Sequence, residues 1–186
     1  MRLSSLSAQA LAAAIVAAAS VLVFAYMPGL SVWAAFIGWA SYAHSGATPK
    51  ASVRSSAALV FGVVMAWLVA MAAAAGTLTV SAPLATAISA GIASFLIVAA
   101  SRLPLLAVVP ATFYGFASTF AYLSLAPGAS SVAAMTSPGW RNAAVSVSVS
   151  LLVGTALGVI QGRLAETLVM RPSDARGAAT ATGAHR

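Results

Sequence analysis

The chain of 186 residues has no cysteine and only two acidic residues, and charged side chains make up 6% of it. Without cysteine there are no disulfides, thiolate zinc sites or cysteine nucleophiles. The two carboxylates, Glu166 and Asp174, both lie beyond the last long apolar run. No acid is therefore placed to relay protons or pair with a cation inside an apolar segment, and no basic residue interrupts the middle of one. This argues against a proton pump, a carrier coupled through a buried acid, and a carboxylate-based hydrolase. With no acid–base pair and no cluster of metal ligands, the expectation is a protein that is not an enzyme, with no catalytic residue, metal or cofactor. The two histidines, His44 and His185, stand apart in the sequence. A lone His44 at the end of an apolar run reads more simply as an interfacial ring than as a pH gate.

Hydrophobic residues make up 61% of the chain, and the mean hydropathy is +1.00. A soluble domain carries about 25% charged residues, because its surface must face water. Lipid must be the solvent for most of this surface, so the first expected partner is the bilayer. A net charge of +7 would suggest nucleic acid in a soluble protein. Here the basic residues sit singly at the ends of apolar runs, which is a topology signal, and no nucleic-acid partner is expected.

Apolar stretches punctuated by Pro, Gly and charge predict six transmembrane helices, at about 8–27, 30–45, 56–75, 82–101, 104–125 and 142–162. A cleaved secretory signal is the rival reading of the first. Its run from Ala8 to Met27 is longer than a usual signal core, so a retained helix is expected. Residues 1–170 form the bundle in this reading. Residues 171–186, rich in Ala, Gly, Thr and Arg, form a disordered cytoplasmic tail. Six crossings place Arg2, Lys50, Arg54, Arg102, Arg163, Arg171, Arg176 and Arg186 on one side and Arg141 alone on the other. That bias puts both termini in the cytoplasm. The second and fifth helices are the weakest, one being short and the other carrying Pro104 and Pro110. Either is open to a broken or partly re-entrant form.

Those two helices resemble each other. The stretch from Val32 to Ser41 aligns without gaps to that from Val109 to Ser118, both containing Phe-x-Gly-aromatic-Ala-Ser. The match divides the chain into two three-helix halves. An odd number of spans in each turns the second upside down, the inverted-repeat construction of many channels and transporters. Convergent packing of two alanine-rich helices is the simpler alternative.

The segments WAAFIGWASYA and VPATFYGFASTFA, with the glycine-spaced sixth helix, resemble the YcdZ-like bacterial inner-membrane proteins, known as domain of unknown function 1097. The likeness runs from Leu30 to about Leu164. It implies a bacterial inner-membrane location and a compact multi-helix fold, and it brings no substrate or site residues.

Helical spacing places Gly38, Ser41 and Tyr42 on one face, and Gly115, Ser118, Thr119 and Tyr122 on the matching one. Facing each other, with Phe36 and Phe113 as constrictions, they would line a narrow path for a small neutral solute. The structural alternative is that the glycines let helices approach and the hydroxyls bond within the bundle. Gly154, Gly158 and Gly162 form two overlapping GxxxG steps for helix packing, within the chain or against a second copy in a homo-oligomer. The expected fold is thus all-α, a polytopic bundle. Its leading function is a passive channel or facilitator. The alternative is a helper or scaffold subunit that binds another membrane protein. The two differ in whether the hydroxyls of helices 2 and 5 face a shared cavity or are buried in packing.

Overall fold

A chain with so few ionisable groups must satisfy its backbone within itself, and helices do so segment by segment. The computed structural model describes residues 3–169. The elements are α1 (Ser5–Ala25), α2 (Val32–His44), α3 (Pro49–Ala74), α4 (Ala82–Ala100), α5 (Val109–Leu125), the single-turn α6 (Val132–Met135) and α7 (Ala143–Leu168). No strand forms among the described residues. The expected tail, with Asp174 and His185, lies outside them.

Four helices, α1, α3, α4 and α7, are long and apolar enough to cross a membrane, and the protein is membrane-embedded. With 13 and 17 residues, α2 and α5 rise only about 20 and 26 Å, short of a hydrocarbon core about 30 Å thick.

Three boundaries differ from the sequence expectation, each for a local reason. α3 begins at Pro49, not near residue 56, because Thr48 caps it by accepting from the Ala51 N–H and Pro49 occupies the first turn. Proline is favoured there because its missing N–H has no partner to lose. Lys50 and Arg54 are therefore helical, not in a loop. α5 begins at Val109 instead of Pro104, so Pro110 falls in its first turn. A start at 104 would have put that ring in a helix interior, against the carbonyl four residues back. α7 continues through Gly162 to Leu168, since neither proline nor a turn stops it. The loop before it holds α6, capped by Ser131 and tied to α3 where Trp67 Nε1 donates to the Met135 carbonyl at 3.0 Å.

Contacts fix the helix directions. Leu3 N–H donates to Leu168 O at 3.1 Å, and Gln161 Nε2 reaches Gln9 O. α1 and α7 are therefore antiparallel, and the two described chain ends meet. α2 runs parallel to α7: Ser31 meets Ser150, Ala35 meets Gly154 and Tyr42 meets Gly158. Tyr122 Oη donates to Trp140 O at 3.0 Å, joining the end of α5 to the start of α7. The core lies where α3 and α7 pack with α5 and α2. One cluster contains Ala58, Leu59, Val63, Ala111, Val147 and Leu151. A second, of Met65, Val69, Ala93 and Ile97, joins α3 to α4. α1 and α4 are peripheral, with large exposed side chains such as Ile15, Leu22, Ile92 and Phe95. In lipid such faces carry no penalty.

Candidate functional site

Among the described glycines, the closest approaches of another main chain fall at two helix crossings. Where α2 lies on α7, Gly38 seats against the Leu151 carbonyl and Gly154 against the Ala35 carbonyl. Where α5 lies on α3, Gly115 seats against the Leu59 carbonyl and Gly62 against that of Thr112. A Cβ on any of the four would overlap a main-chain oxygen, so only glycine permits this approach. The contacts are backbone on backbone, the geometry small residues allow membrane helices.

The hydroxyls around these crossings are buried and mostly partnered. Ser41 and Ser55 share a hydrogen bond of 2.7 Å between α2 and α3. Thr119 donates to the Gly115 carbonyl at 3.0 Å. Ser150 donates to Ser146 O and accepts from the Ser31 N–H, and Ser146 donates to the Gly29 carbonyl. Ser118 is the exception: its hydroxyl is buried and unpartnered.

The other expected path residues lie in ordinary packing. Tyr42 is buried, and its ring edge lies against Gly158, where an added Cβ would come 2.6 Å from it. Tyr122 is half-buried and spends its hydroxyl on Trp140. Phe36 tilts on Trp39, 6.2 Å between ring centres. Phe113 meets Phe116 edge to face and packs over the α3–α4 cluster. Of the three glycines on α7, Gly154 and Gly158 make close contacts, whereas Gly162 meets nothing within 4 Å. His44 stands edge-on to Tyr114, 6.3 Å away, bridging the end of α2 to α5.

Gly162 opens instead onto a cleft of about 360 Å³ between α2, the start of α3 and the end of α7. Trp39 and Tyr42 form one wall, Ser52 comes from α3, and α7 contributes Gln161, Arg163 and Glu166. This cleft was not foreseen from sequence, because its residues are far apart in the chain. Ser55 was missed as the partner of Ser41 for the same reason. The α3 glycine did leave a signal. Ser56-x-x-Leu59-x-x-Gly62 repeats without gaps as Ser148-x-x-Leu151-x-x-Gly154, and its Leu and Gly positions are the ones that seat α5 and α2.

These crossing residues fall within a stretch, residues 10–166, that matches a family described as "Protein of unknown function (DUF1097)". The chain belongs to the DUF1097 family. The match covers α2 to α6 entirely, most of α1 and nearly all of α7, and it does not extend to the YcdZ label. No curated protein and no solved structure matches the chain.

Proposed function

We propose that this DUF1097 protein is a non-transporting subunit of the bacterial inner membrane, a helper or scaffold that binds another membrane protein. In this reading it crosses the membrane six times with both ends in the cytoplasm, as two inverted three-helix halves. Three observations support that architecture. The described chain ends are adjacent, as an even number of crossings requires. Six crossings would gather the basic residues on one side with Arg141 alone opposite, the bias that topology favours. The two crossings also exchange under two sequence offsets, Ala35 and Gly38 becoming Thr112 and Gly115, and Leu59 and Gly62 becoming Leu151 and Gly154.

The observation that carries the functional reading is the sealing of both crossings by glycine on carbonyl. A path between α2 and α5 needs hydroxyls facing a shared cavity, and here Ser41 and Thr119 spend theirs inside the bundle. The chain has no native cysteine, which makes single-cysteine labelling a clean test. Ser41→Cys and Ser118→Cys are expected to resist a membrane-impermeant thiol reagent from both sides of sealed vesicles. Gly162→Cys is expected to react from the cytoplasmic side. Ready labelling of both Ser41→Cys and Ser118→Cys would mean a wet interior and end the proposal.

A second reading, a gated facilitator for a small neutral solute, is favoured by the two-half construction, which transporters share. It predicts swelling of protein-containing liposomes in a panel of small neutral solutes. Rates equal to those of empty liposomes remove it.

A further inference from the structure

We infer that the cleft between α2, α3 and α7 binds a zwitterion carrying a phosphate and a primary ammonium, the chemistry of a phosphoethanolamine group. Its volume, about 360 Å³, lies within the roughly 300–1,000 Å³ range of small-molecule sites. Two glycines shape it. Gly158 lets the rings of Trp39 and Tyr42 lie directly on α7, and Gly162 leaves the space beside them unfilled.

Depth in the membrane follows from helix length. α7 has 26 residues and rises about 39 Å against a hydrocarbon core of about 30 Å. Trp140 and Arg141 mark the water boundary at its start, so the surplus falls at its end. Arg163 and Glu166 therefore stand at headgroup level, and both are exposed at the cleft.

The lining suits a ligand with both signs of charge. The planar fork of Arg163 matches phosphate, and the Gln161 amide, which lines the same cleft, keeps one N–H beyond the bond it gives to the Gln9 carbonyl, whereas the Ser52 hydroxyl is spent on the Pro49 carbonyl. The Glu166 carboxylate accepts hydrogen bonds, which a primary ammonium can donate and a quaternary one cannot, and Trp39 and Tyr42 line the same cleft. Topology accounts for an arginine at a cytoplasmic boundary, but acidic residues add little to that signal. Glu166 is the one acid among the described residues, and this cleft holds it.

The opposite half offers a comparison, which rests on the two-half reading above, whereas the cleft's own lining does not. Moving the α7 residues back by the same offset puts Val69, Met71 and Ala74 in place of Gln161, Arg163 and Glu166. A hollow of about 280 Å³ does lie there, beside Ala70, Ala74 and Phe120, and its lining has no ionisable residue. A hollow thus recurs where the charges do not.

The ligand group has two sources, a phosphatidylethanolamine headgroup or a free phosphoethanolamine-like solute, and one experiment separates them. The full chain in detergent is offered equal amounts of phosphatidylethanolamine, phosphatidylcholine and phosphatidylglycerol with matched acyl chains, and retained lipid is read by native mass spectrometry. In parallel, O-phosphoethanolamine is titrated calorimetrically into delipidated protein. Retention of phosphatidylethanolamine about fivefold above both other lipids, lost in Glu166→Gln and Gly162→Leu, identifies the lipid. Binding of O-phosphoethanolamine that disappears in the same variants, without lipid preference, identifies the solute. Both together mean that the headgroup alone suffices. Glu166 is exposed, so its variant reports on the cleft even if Gly162→Leu fails to fold. Absence of both signals, or signals unchanged in Glu166→Gln, overturns the inference.

Discussion

The α2–α7 crossing and the α5–α3 crossing use the same steric device but finish it with different chemistry. Each seats a glycine from either helix on the other's carbonyl oxygen. Beside the first, Ser41 finds Ser55. Beside the second, Ser118 finds no partner. The offset that takes Leu59 to Leu151 takes Ser55 to Val147, which has no hydroxyl to offer. Beyond the first crossing lies the charged cleft, and beyond the second Phe116 and Phe120 pack with their rings tilted, 5.1 Å between centres. Backbone packing tolerates no variation, because a single Cβ closes the space. Side-chain chemistry around it is free to diverge.

The largest effects should come from that shared steric rule. Gly154→Ala and Gly62→Ala are each expected to destabilise the protein by about 3 kcal/mol, the upper range for overpacking, measured by reversible unfolding in mixed micelles. Costs that differ by more than about 2 kcal/mol would break the equivalence of the crossings. Gly91→Ala is the control: its Cβ would meet nothing within 4 Å, and a gain of up to about 1 kcal/mol in helix propensity is expected.

Polar completion should separate the two sites. Ser41→Ala strands Ser55 and is expected to cost about 1 kcal/mol in the same unfolding measurement, whereas Ser118→Ala removes an unpartnered hydroxyl and should cost nothing. A loss in Ser118→Ala equal to that in Ser41→Ala would mean that Ser118 is bonded after all. Trp67→Phe should lose about 1 kcal/mol with its bond to the Met135 carbonyl; unchanged stability would show that α6 is held by other contacts. The smallest and sharpest test is Val147→Ser. In a double-mutant cycle with Ser118→Ala it is expected to reveal a coupling near 0.6 kcal/mol, typical of hydroxyl pairs in membranes. Zero coupling would mean that position 147 does not stand to Ser118 as Ser55 stands to Ser41.

Much of the helix framework was legible because its signals are local. Apolar run lengths located six of the seven helices, four of them long and apolar enough to cross a membrane, and the Phe-x-Gly-aromatic-Ala-Ser match singled out Gly38 and Gly115. The starts of α3 and α5 were misplaced: a span at 56–75 left Pro49 outside the helix and one at 104–125 left Pro110 inside it, whereas each proline lies in the first turn. The role of Gly162 was also unreadable. Its spacing equals that of Gly154 and Gly158, but whether a glycine receives a neighbour or leaves a hollow depends on what lies opposite.

By itself the sequence determined the solvent and the secondary structure. So few charges leave lipid as the only medium, and in lipid a backbone must close its own hydrogen bonds as helix. Only the tertiary structure decided which helices cross, that α2 rides on α7 and α5 on α3, and that Trp39, Ser52 and Glu166 share one cleft. Those choices depend on the fit of main-chain oxygens into glycine gaps between segments far apart in the chain, and hydropathy carries no record of that fit.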